Sequence, residues 1–288
     1  MTTTIGVVGH RGYDGLERVV GMLEALAPEL GFDLYYESDL LDATASGGRE
    51  LGAPEDVDAL LTLGGDGTLL RGARFLAGRP APILGINLGK LGFLTSCAST
   101  EIEPALRAFA AGRFEAEARM ALVAWATDAE GNERRRWFAL NDVVLHKGGF
   151  ARVLRLRVAA DGDTIATYAA DGIVVSTPTG STAYSLSAGG PVVAPTVESI
   201  VLTPVSPHTL AIRPLVLPPT AVIDLEAIDG PEELLVTVDG QVGTTFASGE
   251  TLTVRRSPHA VKIVRFPDTT FFARLRTKLG WGGLQDRD

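Results

Sequence analysis

Residues 60–76, LLTLGGDGTLLRGARFL, place one carboxylate among three glycines at the end of an apolar run. Gly64, Gly65 and Gly67 free the backbone to bring N–H donors within reach of an oxyanion, which suits phosphate. Thr68 is positioned to cap a following helix, whose N-terminus adds unpaired N–H groups and partial positive charge. Asp66 is the awkward member, because a carboxylate repels a polyphosphate unless it binds a metal ion or takes a proton from an attacking hydroxyl. Both are roles found in phosphoryl transfer. Arg71 follows in the expected first turn, where a cation opposes the helix dipole unless an anion is bound nearby. The bland alternative is an ordinary strand-to-helix turn with Arg71 solvated. The loop lacks the GxxxxGK[ST] order, and Gly85 to Lys90 in GINLGKL is one residue short and followed by Leu91. Gly6, Gly9 and Gly12 are spaced by threes, so a GxGxxG dinucleotide fingerprint is missing too.

A second constellation is DGIVVSTPTGSTAYSLSAGGP, residues 171–191, where eight of the twelve side chains from Ser176 to Ser187 carry hydroxyls. Such density suits a neutral, hydroxyl-rich ligand such as a ribose with an adenine edge, and Tyr184 offers a stacking face. The competing reading is a capped helix start with Thr179 or Ser181 as the cap. Asn141 and Asp142 put an amide and a carboxylate inside an apolar run, where they would either meet a nucleoside or end a strand. Asp171 shares its AADG context with residues 159–162, a plain hairpin turn, and Asp239 and Gln241 read as hairpin residues as well. Arg152 reads as exposed. His10, His146, His208 and His259 lack metal-ligand spacing, Cys97 has no CxxC partner, and there is no GxSxG elbow.

These residues need a scaffold. Apolar runs at Thr4–Val8, Phe32–Tyr36, Val57–Leu63 and Pro82–Leu88 alternate with helical periodicity at Leu16–Leu26 and Thr68–Ala77, predicting an α/β domain with a parallel sheet over 1–115. From 116 to 267 short strands dominate, including one over Trp137–Leu145 and a last one over Val261–Phe266, with ERRRW at 133–137 as a charged loop. This predicts a β-rich second domain. Residues 268–288 form a tail with a helix over Thr270–Leu279. Glycine is over-used, 33 of 288 residues or roughly 11% against an average of about 7%, in short clusters. The single cysteine and the lack of a secretory leader point to the cytoplasm. A formal charge of −9 argues against nucleic acid and anionic membranes as partners, so any anionic ligand must be held by local positive groups and backbone N–H donors.

The chain resembles the NAD kinase family in LGGDGTLLRGAR at 63–74, GINLGKLGFL at 85–94, LNDVVLHKG at 140–148, DGIVVSTPTGSTAYSLSAGGP at 171–191 and FFARLRTKLGWG at 271–282. A GGDG loop alone is shared with diacylglycerol and sphingoid lipid kinases and phosphofructokinases; the hydroxyl-rich segment is the specific part. The resemblance implies a fold related to the diacylglycerol kinase superfamily: an α/β domain, a β-rich domain, and a tail returning to the first. It implies ATP and NAD as substrates, a divalent ion, most simply Mg²⁺, and assembly as a homodimer or homotetramer. Asp66 would be the base for the adenosine ribose 2′-hydroxyl, and Asp66 and Gly67 would touch the substrate. Asn141 and Asp142 would hold the adenosine portion, Asp171 the nicotinamide side, and Thr182, Ala183, Tyr184, Ser185, Leu186 and Ser187 the adenine and ribose. Arg71 and Arg152 would meet phosphate or ribose. Asp142 departs from the Glu of many members, and Ala169 from the Arg of some. The rivals are a lipid kinase sharing the loop and a non-catalytic NADP(H)-binding module.

Overall fold

The computed structural model describes residues 2–44, 47–90, 92–148, 154–209, 211–229, 234–267 and 270–280, in two compact units. One comprises residues 1–118 and 261–288, the other residues 119–260. The first begins with β1 (Thr3–Gly9), α1 (Leu16–Leu30), β2 (Phe32–Tyr36), β3 (Arg49–Glu50), β4 (Ala59–Gly64), α2 (Asp66–Leu76), β5 (Pro82–Asn87), β6 (Cys97–Ala98), α3 (Ile102–Ala110) and β7 (Glu115–Arg119). β4 is buried along its whole length, as a central parallel strand covered on both faces must be. α1 buries Leu16, Val19, Val20, Leu23 and Ala27 at helical spacing, and Gly31 in the left-handed conformation ends it.

The second unit is a sandwich of two antiparallel sheets. Its strands are β8 (Leu122–Thr127), β9 (Glu133–Ala139), β10 (Asp142–Lys147), β11 (Leu154–Ala160), β12 (Asp163–Ala170), β13 (Gly172–Ser176), β14 (Ile200–Val205), β15 (Leu215–Leu217), β16 (Ile223–Asp229), β17 (Leu234–Val238), β18 (Val242–Phe246) and β19 (Thr251–Arg256), with one helical turn, α4 (Tyr184–Ser187). The sheet orders are β15-β14-β13-β10-β17-β18 and β12-β11-β16-β19-β8-β9. Val143, Leu145, Ile173 and Val175 of one sheet share a core with Leu122, Ala124, Leu156 and Leu225 of the other.

The chain then returns to the first unit as β20 (Val261–Arg265) and α5 (Phe271–Leu279). β3, β2, β1, β4, β5 and β20 lie side by side in that order and pair in parallel, with β7 beyond β20.

Three expectations change. Val261–Phe266 does not belong with the β-rich half: Lys262 and Ile263 pair with Pro82 and Ile83 of the first sheet. Trp137–Leu145 is not one strand, because the chain crosses from one sheet to the other at Leu140–Asn141. ERRRW lies in edge strand β9 rather than a loop, with Arg136 paired to Glu133 and Arg135 to Glu250 at 3.4 Å.

Candidate active site

In the first unit, β4 delivers Gly64 and Gly65 to the N-terminus of α2, and Asp66 is the first helical residue. A carboxylate there is favoured by the helix dipole. A side chain at Gly64 would overlap Thr68, so that position needs glycine, and one at Gly65 would reach 3.0 Å from the Tyr13 hydroxyl. Tyr13, between β1 and α1, thus lies against the glycine loop; nothing in HRGYDG signals this.

The Asp66 carboxylate reaches away from its own helix. Oδ2 accepts the Phe93 N–H at 2.7 Å, and Oδ1 accepts those of Leu94 at 2.9 Å and Thr95 at 3.4 Å. Gly92 is held close enough that a Cβ there would overlap the carboxylate. The acid is therefore oriented by the backbone donors of Phe93, Leu94 and Thr95, between β5 and β6. An ionised carboxylate has about four lone-pair sites, so these three bonds leave it able to accept a further proton donor.

Two details of the loop differ from expectation. Thr68 does not cap α2: Gly65 is the cap residue without a side-chain bond, and Thr68 lies inside the first turn with its N–H on the Gly65 carbonyl at 3.0 Å. Because the helix starts two residues earlier, Arg71 falls in the second turn. Its guanidinium donates to the Gly9 carbonyl and to Glu37 at 2.8 Å. Burial raises the Glu37 carboxyl, and Arg71 opposes that rise. Arg71 already has a counter-anion within the unit.

In the second unit a cavity of about 370 Å³ brings together Asn141, Asp142, Ala183 and Tyr184, and adds Val144, His146, Thr237, Asp239 and Gly240. Tyr184 is 45% exposed, leaving ring surface free for stacking. Asp142 is 3% exposed; burial, reinforced by the charge of Asp239, pushes its carboxyl up to about 7 against the pull of the Tyr184 N–H. Sequence reasoning set Asp239 aside as a turn residue, and it is one, at a left-handed φ of 51° between β17 and β18. Its carboxylate also accepts the N–H groups of Leu140 at 3.3 Å, Asn141 at 2.8 Å and Asp142 at 3.3 Å, fixing the crossover that presents Asn141 and Asp142. His146 Nε2 lies 2.8 Å from the Thr237 hydroxyl and Nδ1 lies 3.0 Å from the Lys147 carbonyl, so Nδ1 carries the proton in that pairing.

The hydroxyl-rich segment also bonds within the fold. Residues Thr179–Thr182 form a 3₁₀ turn followed by α4, leaving backbone groups that no ladder satisfies. Several of the hydroxyls bond carbonyls or side chains nearby. Thr177 donates to Leu140, Ser181 to Pro178 and Thr182 to Thr179, while Ser185 bonds Thr203 at 2.9 Å. Neither Thr179 nor Ser181 caps α4. Thr182, Ser185, Leu186 and Ser187 are not on the cavity wall. Asp171 pairs with Lys147 at 2.7 Å and is likewise off the wall. Arg152 lies outside the described residues. Among the described residues no group of three or more His, Cys, Asp or Glu side chains forms a metal site, and no helix is long and apolar enough to cross a membrane.

The ATP-NAD kinase N-terminal domain family matches residues 33–114, and the ATP-NAD kinase C-terminal domain family residues 140–266. Relatives include the NAD kinase of Gemmatimonas aurantiaca, 61% identical over 99% of this chain and 98% of its own. That of Syntrophotalea carbinolica is 41% identical over 92% of each. Among solved structures, an NAD kinase from Archaeoglobus fulgidus in complex with ATP superposes with a TM-score of 0.74 at 28% identity, over 96% of this chain and 97% of that one. Yeast NADH kinase complexed with NADH shares the fold with a TM-score of 0.89 at 24% identity, over 98% of this chain and 88% of that one.

Proposed function

This chain belongs to the NAD kinase family, and on that premise we propose that it transfers the γ-phosphoryl group of ATP to the 2′-hydroxyl of the adenosine ribose of NAD, with Asp66 as the base. The observation that carries the reading is a carboxylate at the head of α2, beside glycines able to approach phosphate, held in one orientation by three backbone N–H donors.

The reaction forms the bond between the ribose O2′ and the γ-phosphorus and breaks that phosphorus's bond to the β–γ bridging oxygen. The hydroxyl proton passes to Asp66, and NADP and ADP leave. Backbone N–H groups of the glycine loop before Thr68 bind the phosphates, and Asn141, Asp142 and Tyr184 bind the adenosine portion of NAD. Arg71 and Arg152 meet phosphate or ribose and Asp171 the nicotinamide side, with the roles of Arg71 and Asp171 weaker because Glu37 and Lys147 already engage them. Positioning and charge stabilisation supply most of the acceleration.

With Asp66 as the carboxylate beside the phosphate loop and no preformed ligand cluster among the described residues, the side chains fit a Mg²⁺ ion that arrives on ATP, held by phosphates, water and at most a share of Asp66. Bound there, it would neutralise phosphate charge. A cytoplasmic homodimer or homotetramer completes the reading. Purified protein given ATP, Mg²⁺ and NAD should yield NADP, and Asp66→Asn should lose turnover while keeping NAD affinity. Near-normal kcat in Asp66→Asn would remove the base from Asp66.

A further inference from the structure

Residues Gly92–Thr95 form an irregular segment whose backbone groups are engaged at both ends. The N–H groups of Phe93, Leu94 and Thr95 point to Asp66. The carbonyls point to two arginines from the end of the chain. Arg274 of α5 donates to Phe93 at 2.8 Å, Thr95 at 2.6 Å and Gly92 at 3.4 Å; Arg265 at the end of β20 donates to Leu94 at 2.7 Å, Thr95 at 3.0 Å and Phe93 at 3.3 Å. Three successive peptide units, 92–93, 93–94 and 94–95, therefore each bridge the Asp66 carboxylate on the N–H side and a guanidinium on the C=O side.

We propose that Arg265 and Arg274 are positioning residues for Asp66, acting through these three peptides, so that the aim of the base depends on residues about 200 positions downstream of it. The proposal rests on the reading of Asp66 as the base. A peptide bonded at both ends is polarised in one sense, each bond strengthening the other. Here the polarisation runs from buried positive groups to a buried-facing negative one. Arg265 and Arg274 are 8% and 4% exposed, so their guanidinium groups bond to protein carbonyls rather than to bulk water. Arg265 gives one further donor to Glu117 at 2.8 Å, which fixes its plane. Other parts of the tail hold the same segment: the Lys278 ammonium lies 5.9 Å over the Phe93 ring, and the Ser96 hydroxyl donates to the Val264 carbonyl at 2.6 Å. Removing one guanidinium frees carbonyls on one side of the peptides and lets the N–H side rotate, which moves the carboxylate without touching Asn141, Asp142 or Tyr184.

The test is steady-state kinetics of the full-length enzyme with ATP, Mg²⁺ and NAD for Arg274→Met, Arg274→Lys and Arg265→Lys, with thermal melts and Asp66→Asn alongside. Arg274→Met should lower kcat on the order of 10–100-fold, the scale of a small misplacement of a reacting group, with KM for NAD changed less than about threefold. Arg274→Lys should recover part of that loss. If Arg274→Met does not fold, the two lysine variants carry the same expectation, lowered kcat at nearly constant KM. Wild-type kcat in any folded variant, or losses in which kcat, KM and thermal stability fall together with no recovery by lysine, would overturn the proposal. Should Asp66→Asn keep its turnover, the base assignment is what fails; should it lose turnover while the arginine variants keep theirs, only the positioning role fails.

Discussion

Asp239 Oδ1 accepts the Asn141 N–H at 2.8 Å, and the Asp239 N–H returns to the Asp142 carbonyl at 3.0 Å, so a hairpin turn and a sheet crossover clamp each other. Asp239→Ala leaves the N–H groups of Leu140, Asn141 and Asp142 without this acceptor where water is largely excluded. The expected loss is about 2–3 kcal/mol. Asp239→Asn keeps one acceptor oxygen and tolerates the left-handed φ, so it should fall between the two. Urea titration measures the stability and calorimetry the NAD affinity, which should weaken in the same order. Wild-type stability in Asp239→Ala would show that the clamp contributes nothing.

The same neighbourhood sets a pH dependence. Asp142 is raised by burial and by Asp239 from its ordinary range near ~3.9 to about 7, so the folded state binds its proton more tightly than the unfolded chain does. The stability this provides is full below about pH 4 and is lost as pH rises through 7. Asp142→Asn should therefore be more stable than wild type at pH 8, by at most about 4 kcal/mol, with the difference vanishing near pH 4. Asp239→Asn removes a negative neighbour and should move the Asp142 transition to lower pH. Denaturation at a series of pH values tests both; parallel curves for wild type and Asp142→Asn between pH 4 and 8 would contradict the linkage.

What could be read from the sequence follows from how local each feature is. The alternation of buried strands and amphipathic helices in 1–115, the glycine loop with Asp66 and the order of residues in 171–191 are short-range patterns; the fold class of the first domain followed from the first, and the family from the motifs together. The sheet crossover at Leu140–Asn141 was hidden because Trp137–Ala139 and Val143–Leu145 are both apolar, and only tertiary pairing separates them. Val261–Arg265 has the composition of any strand, so nothing local says which sheet it joins. The hydroxyls of 176–187 were visible, but whether they face a ligand or their own backbone depends on a loop path the residue types do not encode. Asp239 reads only as a turn residue, and Arg265 and Arg274 go unnoticed, because their partners lie about 100 to 180 residues away.

Cys97 gives a probe of the first unit. It is buried in strand β6, and burial pushes its thiol up to about 12, with Glu101 adding to the rise and Arg274 opposing it. The thiolate is the reactive form, so the native protein should not react with a disulfide reagent at pH 8 over minutes, whereas the denatured chain should react at once. The slow native rate would then report opening of that unit. Reaction of the folded protein at the rate of a free thiol would contradict the burial.

Gly92 offers the sharpest test of how Asp66 is held, because the three atoms nearest to a Cβ built there are both Asp66 carboxylate oxygens and the carbon between them. In Gly92→Ala either the carboxylate gives up its N–H donors at 93–95 or the segment pulls away from Arg265 and Arg274. Both displace the acid, and a displacement of about 1 Å costs on the order of 100-fold in turnover. Overpacking should also lower stability by about 1–3 kcal/mol. NAD affinity should hold, since Asn141, Asp142 and Tyr184 belong to the other unit. The clash is specific to one pair, so the stability loss should largely disappear when Gly92→Ala is made in an Asp66→Ala background. If Gly92→Ala destabilises both backgrounds equally, the strain lies elsewhere in the loop; if it turns over like wild type, the carboxylate does not need the position in which these donors hold it.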